Sequence, residues 1–166
     1  SPTWSADGTR LLFGSMTGSE AVLAERDALG ATPMKALYRQ RAMVRLVPFD
    51  ETSDGRLVVF GGAAGSGRRG IVVLSKADGK VTPYLENGFT GLQASLSPDG
   101  KWLAYTSNES ASDEVIVQPF PDPQGGKWPV SPNGGSSPRW RRDGRELFFV
   151  DGEGRLVSVP VTAGPT

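Results

Sequence analysis

No histidine and no cysteine occur among the 166 residues, and the first absence is the more restrictive. Without imidazole the chain cannot assemble a Ser-His-Asp or Cys-His pair, a zinc site with histidine ligands, or the usual general base of near-neutral pKa. Without thiols it has no disulfides and no thiolate metal sites, which leaves the compartment open. Net charge is missing as well. Eighteen Lys and Arg cancel 18 Asp and Glu, so there is no electrostatic footprint for nucleic acid or anionic lipid, and nucleic acid is not expected as a partner. No apolar run approaches the roughly 18 residues of a membrane span, and the N-terminal stretch shows no charged-then-apolar leader, so this segment is expected not to insert into a membrane. Carboxylate-pair catalysis survives these exclusions in principle. The recognisable acids, however, sit in hairpin turns, and the chain is read as a non-enzyme that uses no cofactor and no metal.

What the chain has in abundance is turn formers, with Gly 22 and Pro 13. Four Asp-Gly pairs recur at Asp7-Gly8, Asp54-Gly55, Asp99-Gly100 and Asp143-Gly144, at intervals of 47, 45 and 44 residues. Five residues after each Gly stands an aromatic: Phe13, Phe60, Tyr105 and Phe149. The residues between are short apolar runs of strand length, as in Leu57-Val58-Val59 and Trp102-Leu103-Ala104, of the kind covered on both faces. Three residues before the Asp lie Trp4, Glu51, Leu96 and Trp140, so the second copy departs from an apolar rule. In Ser97-Pro98-Asp99-Gly100 the chemistry of the turn is plain. Pro presets its φ, Asp bonds nearby backbone, and Gly accepts the left-handed conformation that closes a bulged hairpin.

A third strand follows in each unit (Ala21-Val22-Leu23-Ala24, Ile71-Val72-Val73-Leu74, Val115-Ile116-Val117, Leu156-Val157-Ser158-Val159), and then an outer one. Pro83 and Pro129 suit outer edge strands, where a backbone donor can be spared. Residues 32–44 read as an outer strand, with a short helical turn as the alternative. A period of roughly 40–45 residues carrying four short strands is the signature of a propeller blade. The fold class expected is therefore all-β, a β-propeller of about four four-stranded antiparallel blades with the last incomplete. It forms one region over 1–166 with repeats near 1–46, 47–91, 92–135 and 136–166. Such an arc is expected either to belong to a longer ring or to complete itself with a second copy, a homo-oligomer through open propeller edges.

The stretch from Leu92 to Ser110, with Leu96-Ser97-Pro98-Asp99-Gly100-Lys101-Trp102 at its centre, resembles the WD-like repeat of TolB-like propellers. Its continuation through Val115-Ile116-Val117-Gln118-Pro119-Phe120-Pro121 and Pro138-Arg139-Trp140-Arg141-Arg142-Asp143-Gly144 is similar to the propellers appended to bacterial serine/threonine protein kinases. The likeness covers residues 92–160 well and the first half loosely. It implies rings of six or more blades, an extracytoplasmic place (periplasm or cell surface) and a sensing or interaction role with protein or small-molecule ligands. No kinase motif is present, so kinase activity does not carry over. Prolyl oligopeptidase-like enzymes also carry such a propeller, which makes an accessory domain of a hydrolase the alternative, and an oligomerising fragment without a ligand of its own a further one.

Several segments imitate sites. The glycine-rich stretch from Gly61 to Gly70 lacks the Lys-Ser/Thr ending and the following helix of a phosphate loop. Arg139 and Arg141 alternate to the face opposite Trp140 and read as solvated strand-end charges. Asn108-Glu109-Ser110 matches a glycosylation triplet of the kind that arises by chance. Asp151-Gly152-Glu153-Gly154 lacks the spacing of a calcium loop and reads as a tight hairpin. In a propeller, ligands gather at loops around the central channel, here residues 15–19, 62–69, 87–92, 107–113 and 133–137. Position in these loops nominates Arg68, Arg69, Asn87, Phe89, Asn108 and Glu109 as ligand contacts.

Overall fold

Each Asp-Gly pair closes a hairpin, and the same bonds recur from copy to copy. The Ser5 hydroxyl donates to Asp7 Oδ1 at 2.6 Å, which also accepts from the Thr9 amide at 3.0 Å, while the Gly8 amide donates to the Ser5 carbonyl at 2.9 Å. Thr52 with Asp54 and Ser97 with Asp99 repeat this. In the fourth copy Arg141 stands in the hydroxyl position, and Asp143 still accepts from the Arg145 amide at 3.1 Å. The repeat glycines all take φ between 69° and 72°, the left-handed region where a side chain is strained. Turn chemistry at these corners thus sets where strands begin.

The structure is a computed structural model that describes residues 2–41, 45–63, 69–86, 93–110 and 112–162. Four antiparallel sheets follow one another, each a simple meander within one repeat. The first holds β1 (Thr3–Trp4), β2 (Arg10–Thr17), β3 (Glu20–Asp27) and β4 (Lys35–Arg41); the second holds β5 (Val47–Glu51), β6 (Leu57–Ala63), β7 (Arg69–Ser75) and β8 (Val81–Leu85). The third holds β9 (Ala94–Leu96), β10 (Trp102–Ser107), β11 (Glu114–Pro119) and β12 (Trp128–Pro129). The last has three strands, β13 (Gly135–Trp140), β14 (Glu146–Asp151) and β15 (Leu156–Pro160). Pro83 and Pro129 fall in the outer strands β8 and β12, as edge positions allow. Within 32–44, Lys35–Arg41 forms strand β4 rather than a helical turn, pairing with β3 through a bulge between Leu23 and Ala24, while 42–44 lie outside the described residues.

Four expected loops are shorter than the sequence suggested; one of them, 107–113, loses Ser107, which ends β10 paired with Glu114. Residues 15–17 belong to β2, since pairing continues to Thr17 opposite Glu20 and the turn closes on Gly18 at φ 62°. Gly62, Ala63 and Arg69 lie in strands, paired as Gly62 with Gly70 and Ala63 with Arg69. Residues 135–137 open β13. In each case the hydrogen bonds of the ladder outweigh the turn preference of the Gly and Ser residues it includes.

The chain divides into two compact units, Ser1–Thr90 and Gly91–Thr166. In the first, Leu12, Ala21 and Leu23 of the first sheet pack on Val58, Phe60, Val72 and Leu74 of the second, with Leu46 between them. Gly14 lets the backbones meet. A Cβ there would lie 1.7 Å from the Leu46 carbonyl oxygen. In the second unit Ala104 and Val115 of the third sheet pack on Leu147 and Phe149 of the fourth.

Candidate functional site

Of the six nominated contacts, Arg68, Asn87 and Phe89 lie outside the described residues. Arg69 opens β7. Asn108 and Glu109 follow β10 in the loop before β11. The Asn108 side-chain oxygen is buried without a hydrogen-bond partner, while Glu109 is exposed and pairs with Lys127. Next to Lys127, Trp128 packs edge-on against Trp102, ring centres 5.5 Å apart. The described residues bring Asn108 and Glu109 together only as chain neighbours. Of the imitating segments, Arg141 pairs with Asp143 and Glu146, and Asp151 accepts from the Glu153 and Arg155 amides, which makes it a turn residue.

Two features have more built geometry. The first is a buried charge cluster between the first two sheets. Glu51 occupies the repeat position held elsewhere by Trp or Leu, and its side chain is 1% exposed. It accepts from the Ala6 amide at 2.8 Å, in the Asp-Gly turn of the sheet before it, and pairs with Lys76. Lys76, 15% exposed, reaches across to Glu25 Oε2 at 2.8 Å. Arg10 and Lys35 approach the other Glu25 oxygen at 3.9 and 3.4 Å. Burial pushes the Glu25 carboxyl up, but Lys76, Arg10 and Lys35 together outweigh it and hold the group below the usual carboxylate range. A carboxylate kept ionised among cations suits a clamp between sheets, not proton transfer. The sequence signal was the departure at Glu51; its partner Lys76 carries no local signal.

The second feature is a groove of about 610 Å³ on the outward face of the first sheet, lined by Pro2, Leu11, Phe13, Arg26 and Leu29 among others. Strand pairing puts Trp4 opposite Leu11 and Leu11 opposite Arg26, so Trp4 stands on the same face. Trp4 is 56% and Leu29 94% exposed. An apolar surface of this kind is unusual unless something covers it.

No protein-family model matches the sequence, and no curated protein matches it. Solved structures do resemble it. TolB from Acinetobacter baumannii superposes with a TM-score of 0.76 at 17% identity over 98% of this chain. A chain of a nidogen/laminin complex gives 0.68 at 12% identity over 96%, and a candidate TolB from Agrobacterium tumefaciens gives 0.57 at 13% over 95%. The fold is that of a β-propeller. Its sheets are blades, and their number fits a partial propeller. The chain spans 43% of the Acinetobacter TolB, 59% of the nidogen/laminin chain and 79% of the Agrobacterium protein. At these identities the likeness is one of fold, and the propeller's ligand does not follow from it.

Proposed function

We propose that this propeller is a non-catalytic module that binds a protein or small-molecule ligand, the sensor or interaction region of a bacterial TolB-like or kinase-associated protein working outside the cytoplasm. The observation that carries this reading is the groove of blade 1, where apolar side chains and the Arg26 guanidinium meet at an open surface. The want of any imidazole and the engagement of Glu25 and Glu51 in ion pairs support a role without turnover. Titrating isotope-labelled chain with a library of short peptides should shift resonances of Leu11, Phe13, Arg26 and Leu29 together. Scattered shifts, or turnover of ester or peptide substrates by the purified chain, would count against it.

A second reading, an oligomerising propeller segment, is favoured by the same exposed Trp4 and by Leu156, 74% exposed on the last blade. The accessory-domain alternative is decided by the flanking gene, which would encode a Gly-x-Ser-x-Gly hydrolase domain in that case and further blades or a kinase in the first.

A further inference from the structure

We propose that the seams between adjacent blades carry a recognition code, ionic where blade 2 follows blade 1 and apolar where blade 4 follows blade 3, which fixes the order in which similar repeats pair. Each of these seams lies inside one compact unit.

The code emerges when the repeats are aligned on Gly8, Gly55, Gly100 and Gly144. Two residues after the glycine stand Arg10 in blade 1 and Trp102 in blade 3. Opposite the residue four after it, Leu12 or Ala104, stand Glu25 and Val117. Next to these on the outer strands are Lys35 and Trp128. Blades 2 and 4 supply the other half. Glu51 and Trp140 pair with the residue three after the glycine, Val58 or Leu147. Lys76 and Val161 donate their amides to the carbonyl of the residue just after it, Arg56 or Arg145. Equivalent positions thus read Arg, Glu, Lys, Glu, Lys at one seam and Trp, Val, Trp, Trp, Val at the other.

Each set is complete in its own terms. At the first seam Lys76 bridges Glu25 and Glu51, while Arg10 and Lys35 flank Glu25. At the second, Val117, Trp140 and Val161 pack on the core of Ala104, Val115, Leu147 and Phe149. Trp128 stands edge-on to Trp102, and the Trp140 indole N–H donates to the Ser95 carbonyl at 3.1 Å.

The backbone is matched too. Glu51 accepts from the amide of Ala6, two residues before Gly8. The equivalent residue of blade 3 is Pro98, which has no N–H to give. A carboxylate in the place of Trp140 would therefore lack the amide donor as well as the cations. Sizes are exchanged in the same way. Gly14, six after its glycine, admits the Leu46 carbonyl, whereas blade 3 has Thr106 there and blade 4 has Gly135 in the place of Leu46. Repeats of one chain can mispair, and a wrong neighbour here buries ionised groups against indole and valine, which is the repulsive element that specificity needs.

Urea denaturation of the full chain, followed by circular dichroism, tests the code by exchanging one seam for the other. Blade 1's half is Arg10→Trp, Glu25→Val and Lys35→Trp; blade 2's half is Glu51→Trp and Lys76→Val. Either half alone should lower the folding equilibrium constant at least about tenfold, and the two together should raise it at least about tenfold above either half. Where a half alone does not fold, the combined chain should regain the β-sheet signal and a cooperative transition. The reverse exchange at the second seam, Trp102→Arg, Val117→Glu and Trp128→Lys with Trp140→Glu and Val161→Lys, made together with Pro98→Ala, should behave likewise. Costs of the two halves that simply multiply would overturn the proposal, and so would a half variant as stable as the unaltered chain.

Discussion

Lys76 is the only cation within bonding reach of both Glu25 and Glu51 among the described residues, and that decides what its loss does. Lys76→Met would leave Glu25 with Arg10 and Lys35 at 3.9 and 3.4 Å, and the buried Glu51 carboxylate with the Ala6 amide and no cation among the described residues. Chemical denaturation should show a loss of about 3–5 kcal/mol, as for other half-removed buried pairs. Replacing all three by apolar residues of similar volume should recover most of it. Protonation acts on the same groups. Glu25, Asp7 and Asp54 are held below their ordinary values in the folded chain, Glu25 by its cations against burial and the two aspartates by hydroxyl and amide donors of their turns. Folded values below unfolded ones mean stability that is present above about pH 4 and lost as pH falls below it. Melting temperature should drop across that window, and the drop should be smaller in Glu25→Gln. A melting temperature unchanged from pH 5 to pH 2 would contradict the clamp, both pH values bracketing the roughly 4 of free carboxyls.

Blades hold their shape through strand pairing and pack through the faces that pairing creates. Gly14 shows how little room those faces leave. Gly14→Ala would drive a methyl into the Leu46 carbonyl oxygen, and backbone cannot step aside as a side chain can. A destabilisation of about 1–3 kcal/mol is expected, read as a lowered denaturation midpoint, with no change at the corresponding Tyr105-side strand of blade 3. The strands themselves were legible in the sequence. Short apolar runs ending in an aromatic after each Asp-Gly located β2, β6, β10 and β14, and prolines marked the edges β8 and β12. Strand ends were less legible. Ser15, Thr17, Gly135 and Ser136 are small and read as loop, yet ladder pairing with β3 and β14 carries them into strands. Local propensity is weak where a neighbouring strand already supplies partners.

If the chain is an oligomerising propeller segment, folding and association are linked. Melting temperature should then rise with protein concentration in the unaltered chain and become independent of it in Trp4→Glu; a flat response in both would leave that reading without support. The candidate site was the least legible part of the chain. Arg68, Asn87 and Phe89 were nominated by loop position and lie outside the described residues, while the groove and the clamp came from residues that position alone did not single out. By itself the sequence determined the repeat, the hairpin corners and the meander within each sheet, because those rest on φ preferences and on alternation between residues a few positions apart. Only the tertiary structure decided which faces are covered. Glu25 and Lys76 are 51 positions apart, and whether two such charges neutralise each other, or two equivalent Trp residues stand one covered and one bare, depends on which sheet lies across from them, something no local pattern encodes.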